Sequence, residues 1–296
     1  MFELLEQYQA YLINQRGVSK NTCDAYVRDV SVFLNYVDIS VSHRLEDVRP
    51  EDLKSFCSAL KKQGKSVSTI NRCTASVHSF YRFLRLSGQA LEDPTEQISR
   101  IHEKRKLPSV LSDKEIGRLL KAPDNKLPKG CRDKAMFELL YATGMRVSEL
   151  IELNLEDVQL KAGCVCCHSG NLIRTIPIYA EAKRALQDYL LRVYPYYAKS
   201  EGDALFVNMN GTRLTRQGFW KILKQYVDEL GLPGDITPHT LRHSFAAHLL
   251  ENGAQLEDVR EMLGHADISS TQIYAQIVNN KFKDVYNRCH PRAKSV

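Results

Sequence analysis

Apolar residues recur at helical spacing along almost the whole of this 296-residue chain, and only between Val158 and Ile178 does the pattern switch to period two. That switch constrains the fold more than any other feature. A helical stripe cannot bury its apolar residues as a strand, nor an alternating one as a helix. Gly163-Cys164-Val165-Cys166-Cys167-His168 and Leu172-Ile173-Arg174-Thr175-Ile176-Pro177 read as two strands of a hairpin across Ser169-Gly170-Asn171. The expected fold is therefore mostly α, with one small antiparallel β-sheet.

Four helices are predicted first: residues 2–16 on Leu5, Tyr8 and Leu12; 21–37 on Ala25, Val30, Phe33, Leu34 and Val37; 50–64 on Leu53, Phe56 and Leu60; 66–87 on Ile70, Val77, Phe80, Tyr81 and Leu84. Gly17, Gly64 and Gly88 close three of them. Short connections make this a four-helix bundle over residues 1–93. Residues 94–110 read as a linker, because Pro94 and Pro108 bracket the basic stretch Arg100-Ile101-His102-Glu103-Lys104-Arg105-Lys106. The second domain, 111–296, opens on a capping box of Ser112 and Glu115. Helices follow over 112–120, 132–142, from Arg146, 181–193, 216–230, from Pro238 and over 256–263, with a further helix-like stretch near Phe282, Val285 and Tyr286.

The 43% hydrophobic and 26% charged shares are those of a soluble globular chain, and no run of eighteen apolar residues exists to span a membrane. Met1-Phe2-Glu3-Leu4-Leu5-Glu6 carries early acids and no cationic leader, so a cytoplasmic protein is expected. Its eight cysteines have no framework spacing, which fits reduced thiols. Cys164 and Cys166 fall on one face of a strand and Cys167 on the other, with no second ligand pair, so no metal is expected. A net charge of +6 permits a polyanionic partner without demanding one.

Two helix starts carry cations where acids are normally favoured. Thr237 caps the helix Pro238-His239-Thr240-Leu241-Arg242-His243-Ser244-Phe245, whose Leu241, Phe245 and Leu249 face a core. His239 and Arg242 lie together near its first turn, an arrangement that a phosphate would stabilise. Arg146 opens another helix between buried neighbours Val147 and Leu150, so it needs a partner, either Glu149 or an external phosphate.

Ala142-Thr143-Gly144-Met145-Arg146-Val147-Ser148-Glu149-Leu150 resembles the first arginine motif of the tyrosine recombinases, the phage integrase family. His239-Thr240-Leu241-Arg242-His243 resembles the family's His-x-x-Arg box. Leu263-Gly264-His265 and Thr271-Gln272-Ile273-Tyr274 resemble its last histidine and nucleophile motifs, with His265 nine residues before Tyr274. The helical N-terminal domain and the ending His290-Pro291-Arg292-Ala293 are similar to the Xer subgroup. The resemblance covers the whole chain.

It implies an N-terminal SAM-like, core-binding domain that binds DNA and a catalytic recombinase domain, together a C-shaped clamp on double-stranded DNA. It implies cleavage through a 3′-phosphotyrosine made by Tyr274, with Arg146 and Arg242 on the phosphate, His239 taking the phenolic proton and His265 bonding a phosphate oxygen. No cofactor, metal or ATP is implied. Members act as tetramers, of one recombinase or two, on two DNA sites and exchange C-terminal segments, for which Phe282, Val285 and Tyr286 are apolar enough. The implied roles are resolution or integration of chromosomes or mobile elements, with chromosome partition at cell division among them. Lys65, Arg72, Arg213 and Arg216 are candidate DNA contacts.

One departure stands out. The family usually carries a lysine in the hairpin turn that protonates the leaving 5′-oxygen, and this turn, His168-Ser169-Gly170-Asn171, has none. His168 or Arg174 is the expected substitute. A catalytically weak paralogue that binds DNA and regulates another recombinase is the alternative reading. A type IB topoisomerase fits less well, because the chain lacks a long linker.

Overall fold

The structure, a computed structural model, describes residues 2–40, 45–89, 92–101, 107–170, 172–198 and 202–264, together with Thr271 and Tyr274. His265, Phe282, Val285, Tyr286, Cys289 and the linker residues 102–106 lie outside the described residues, as does Asn171 of the hairpin turn. The chain divides into two compact units, Met1–Arg105 and Lys106–Val296.

The first unit holds α1 (Phe2–Asn14), α2 (Lys20–Ser40), α3 (Pro50–Lys62) and α4 (Val67–Leu86). Pro50 takes the first position of α3, and the Asp52 carboxylate accepts the Arg49 backbone N–H at 2.9 Å. Ser66 Oγ accepts the Thr69 N–H at 3.2 Å to start α4. Tyr8, Leu12, Phe33, Leu34, Leu53, Phe56, Ile70, Val77, Phe80 and Leu84 meet in one core, as their spacing predicts. Asp29 is buried beside it and accepts Arg72 Nε and Nη2, both at 2.9 Å, and Ser76 Oγ at 3.0 Å. The fork of Arg72 is thus closed on Asp29, while its side chain stays half-exposed.

The second unit begins with α5 (Asp113–Lys121), where the predicted capping box forms: Glu115 accepts the Ser112 N–H at 2.8 Å. Next, α6 (Pro128–Thr143) starts earlier than its apolar pattern suggests. Pro128 holds the first helical position, and the buried Arg132–Asp133 pair interrupts the hydrophobic signal. Because α6 is buried on nearly all sides, and packs against α8 (Ala180–Arg192) and α11 (Pro238–Glu251), it is the axle of the unit. Between them come α7 (Val147–Glu152) and the sheet, β1 (Val158–Gln159), β2 (Cys164–Ser169) and β3 (Leu172–Pro177), antiparallel in the order β1-β2-β3. The hairpin register pairs Cys167 with Arg174 and His168 with Ile173. Val165, Cys167, Arg174 and Ile176 face inward and are buried, whereas His168 and Ile173 are exposed.

The remaining elements are α9 (Tyr194–Tyr197), α10 (Arg216–Leu230) and α12 (Leu256–Leu263). Leu119, Met136, Leu140, Leu150, Val165, Ile176, Leu186, Phe206, Phe219 and Leu241 share the main core. A smaller cluster joins Phe245, Ala246, Val259, Leu263 and Tyr274. The described cysteines are free thiols. Among the described residues no helix is long and apolar enough to cross a membrane.

Candidate active site

Arg146 stands at the head of α7 in extended backbone, and its partner is Glu149. That carboxylate accepts the Arg146 backbone N–H at 2.8 Å and its Nη1 at 2.9 Å. Glu149 also accepts Nη2 of Arg174 from β3 at 3.0 Å, with both side chains almost fully buried. Burial alone would raise the Glu149 carboxyl, but the Arg146 N–H and the two guanidiniums outweigh it and hold the group below the usual carboxylate range. One buried anion therefore ties two cations from different elements. The Arg146 side chain stays about one-third exposed, open to a ligand.

Arg242 resolves the electrostatic oddity of α11. Its guanidinium leaves the positive end of its own helix and donates from Nη1 to the Gly144 carbonyl and from Nη2 to the Leu263 carbonyl, both at 2.7 Å. These are the C-terminal ends of α6 and α12, where a cation is favoured. Burial and the neighbouring Arg146 pull the Arg242 pKa down to about 10, so it keeps its charge at neutral pH. Gly264, next to Leu263, has φ +64°, and a β-carbon there would stand 2.2 Å from Arg174 Nη1. Only glycine lets the Arg174 guanidinium lie against this backbone. Nε and Nη1 of Arg174 are buried with no hydrogen-bond partner among the described residues.

Tyr274 sits on this assembly from the chain beyond α12. Its ring is 2% exposed within the cluster of Phe245, Val259 and Leu263. Its hydroxyl lies 2.9 Å from Nδ1 of His243. Burial raises the phenol above its usual pKa, against the opposing pull of Arg242 and Arg146. Burial, His239 and Arg242 together push the His243 imidazole down to about 4, so it is neutral at physiological pH. His239, one turn earlier and exposed, is also lowered, by desolvation and then by Arg242 and Arg146. The two histidine rings stand 6.4 Å apart.

Arg146, Arg174, His239, Arg242 and Tyr274 thus come together from α7, β3, α11 and the chain after α12. The histidine at hydrogen-bond distance from the Tyr274 hydroxyl is His243, one turn along α11 from the expected His239. His243 was legible only as the residue after Arg242; that it faces the tyrosine depends on how α11 is turned. His168 lies on the outer face of the hairpin, away from Arg174, with Nε2 2.7 Å from Asp157. Of the two candidate substitutes for the lysine, Arg174 alone faces the arginines. Arg213, an exposed residue, donates to the Ile151 and Leu153 carbonyls and to Asn154, so it braces the end of α7. Lys65 and Arg216 are exposed.

A buried anion, two helix ends and a hairpin arginine are gathered around a tyrosine, and comparison with known proteins gives the class. The model of the phage integrase family matches residues 109–281, and that of the phage integrase N-terminal SAM-like domain matches residues 5–88. The chain belongs to the phage integrase family and is a tyrosine-type site-specific DNA recombinase. Among its relatives, it is 47% identical to tyrosine recombinase XerD of Oceanobacillus iheyensis over 293 residues, 98% of each chain. It is 43% identical to tyrosine recombinase XerD of Listeria innocua over 297 residues, 99% of this chain and 100% of the relative. In fold it is similar to the XerH site-specific recombinase solved in a post-cleavage complex with its palindromic difH substrate, with TM-score 0.78 and 22% identity over 92% of this chain and 81% of that one.

Proposed function

We propose that Tyr274 attacks a DNA phosphodiester held by Arg146 and Arg242, giving a 3′-phosphotyrosine and a free 5′-hydroxyl. The transition state is a pentacoordinate phosphorane carrying extra negative charge, and paired donors on two guanidiniums stabilise it electrostatically. A phenol, with pKa about 10, is a better leaving group than an alcohol, so the link conserves enough free energy for rejoining without ATP. Arg174 supplies charge from β3 beside the two arginines, and through Glu149 it orients Arg146. A guanidinium does not release its proton at usable pH, so the leaving oxygen takes its proton from water. His265 bonds a phosphate oxygen. The observation that carries this reading is the convergence of Arg146, held by buried Glu149, with Arg242 and Tyr274 from separate elements.

Residues 1–93 supply DNA affinity, with Lys65, and Arg216 in the second unit, as phosphate contacts. The protein acts in the cytoplasm as a tetramer on two copies of its site, in one- or two-recombinase form, exchanging the segment with Phe282, Val285 and Tyr286. Full-length relatives named as recombinases favour this over the regulatory-paralogue reading.

A nicked suicide duplex, chosen by screening DNA for binding, tests the chemistry. A covalent adduct is expected with the wild type and none with Tyr274→Phe; site-specific binding with no adduct in either would refute it. A truncation after Ile277 is expected to remain folded and bind one site, yet fail to pair two. Synapsis by the truncated protein would sink the exchange claim.

A further inference from the structure

We infer that His243 is a further catalytic residue, the base that accepts the Tyr274 proton as the phenol attacks phosphorus. The inference rests on the proposed role of Tyr274 as nucleophile.

Three observations carry it. Nδ1 of His243 lies at hydrogen-bond distance, 2.9 Å, from the hydroxyl that must lose its proton. His243 is the residue after Arg242, whose guanidinium is anchored on the carbonyls of Gly144 and Leu263. The same stretch of α11 thus fixes the base and the phosphate-binding cation in one geometry. Among the described residues, the groups facing this imidazole are Tyr274 from the chain after α12, and His239 and Arg242 from α11 itself. Its charged neighbour is a cation, so the ring enters the reaction neutral, with Nδ1 accepting from the hydroxyl and the proton on Nε2. Burial raises the phenol's proton affinity, and Arg242 and Arg146 oppose that rise, which eases the transfer once the proton has an acceptor.

In the step itself, the Tyr274 O–H proton moves to Nδ1 and the phenol oxygen forms its bond to phosphorus. The bond from phosphorus to the 5′-oxygen breaks, and that oxygen keeps the electron pair and takes a proton from water. The imidazolium then returns a proton to solvent.

The test measures adduct formation on the suicide duplex against pH, for wild type, His243→Ala and His243→Asn. It uses a normal 5′-oxygen and a duplex in which that oxygen is sulfur, a leaving group that needs no proton. Asn keeps an acceptor near the hydroxyl but cannot take its proton, so a merely structural role would be rescued by it. Both variants are expected to bind the site normally and cleave about 100-fold or more slowly on both duplexes. Their rates should climb about tenfold per pH unit, because hydroxide must now ionise the phenol, while the wild type stays flat from pH 6 to about 9. Wild-type rates in His243→Asn, rescue by sulfur, or faster cleavage in His243→Ala would each overturn the assignment; the last would make the contact a latch on the nucleophile. Absence of a wild-type adduct would instead strike down Tyr274 as nucleophile, and the inference with it.

Discussion

Glu149 is the residue on which the cationic site balances. A carboxylate 4% exposed, bonded to one backbone N–H and two guanidiniums, offsets charges that would otherwise repel and be poorly solvated. Glu149→Gln leaves Arg174 buried without its counter-ion, and should lower stability by about 3–5 kcal/mol at neutral pH, read by chemical denaturation. The pH dependence follows from the lowered carboxyl. A folded pKa below the unfolded value, about 4.3, contributes stability that is full above that value and lost as pH falls through the folded pKa. The gap between wild type and variant should therefore narrow below pH about 4. A constant gap across the acid range would mean that the pair acts through packing alone.

At the scale of elements, the site is made by helix ends. The C-terminal carbonyls of α6 and α12 face one guanidinium, and the glycines that terminate both helices are left-handed, with φ +59° at Gly144 and +64° at Gly264. A β-carbon at Gly144 would stand 2.2 Å from Cδ1 of Phe245, in the cluster that holds Tyr274. Gly144→Ala is thus expected to cost about 1–3 kcal/mol from backbone strain, with more from the clash. Cleavage should fall more steeply than site binding, because Phe245 and the Arg242 anchor move together. Equal losses in both would point to general unfolding. The hairpin acts in the same way: its register, Cys167 opposite Arg174, sends that arginine inward and His168 outward. A slip of one residue would exchange them.

For the whole molecule, the decisive feature is that the two units have separate cores. Tyr8, Phe33, Phe56 and Phe80 belong to one, and Met136, Leu140, Phe206 and Phe219 to the other. Fragments 1–101 and 107–296 should each fold cooperatively when expressed alone, since each has its own core. Calorimetry should find one transition for each fragment. A fragment 1–101 that stays unfolded in isolation would contradict this division.

The helices and hairpin were legible in the sequence because local physics decides them. Tyr8, Leu12, Phe33, Phe56 and Phe80 point inward whatever lies opposite, and period two between Val158 and Ile178 admits only strands. Arg146, Arg242 and Tyr274 could be picked out as residue types in a familiar order, and Glu149 as a candidate partner three residues from Arg146. Partnership across the fold could not be read this way. Arg174 and His168 look alike as cations near a turn, and only strand register separates them. Arg72 and Arg213 are surface charges whose partners, Asp29 and the Ile151 and Leu153 carbonyls, no spacing along the chain reveals. His239 is a candidate along the chain and His243 only the residue after Arg242, yet the rotation of α11 against the segment carrying Tyr274 brings His243 to the hydroxyl. Sequence determined which residues fold and which chemistry they carry, because periodicity and side-chain type act locally. Tertiary structure decided which of those groups touch, because hydrogen bonds across 31 or 98 residues of chain, as for His243 with Tyr274 and Arg242 with Gly144, exist only once the elements have packed.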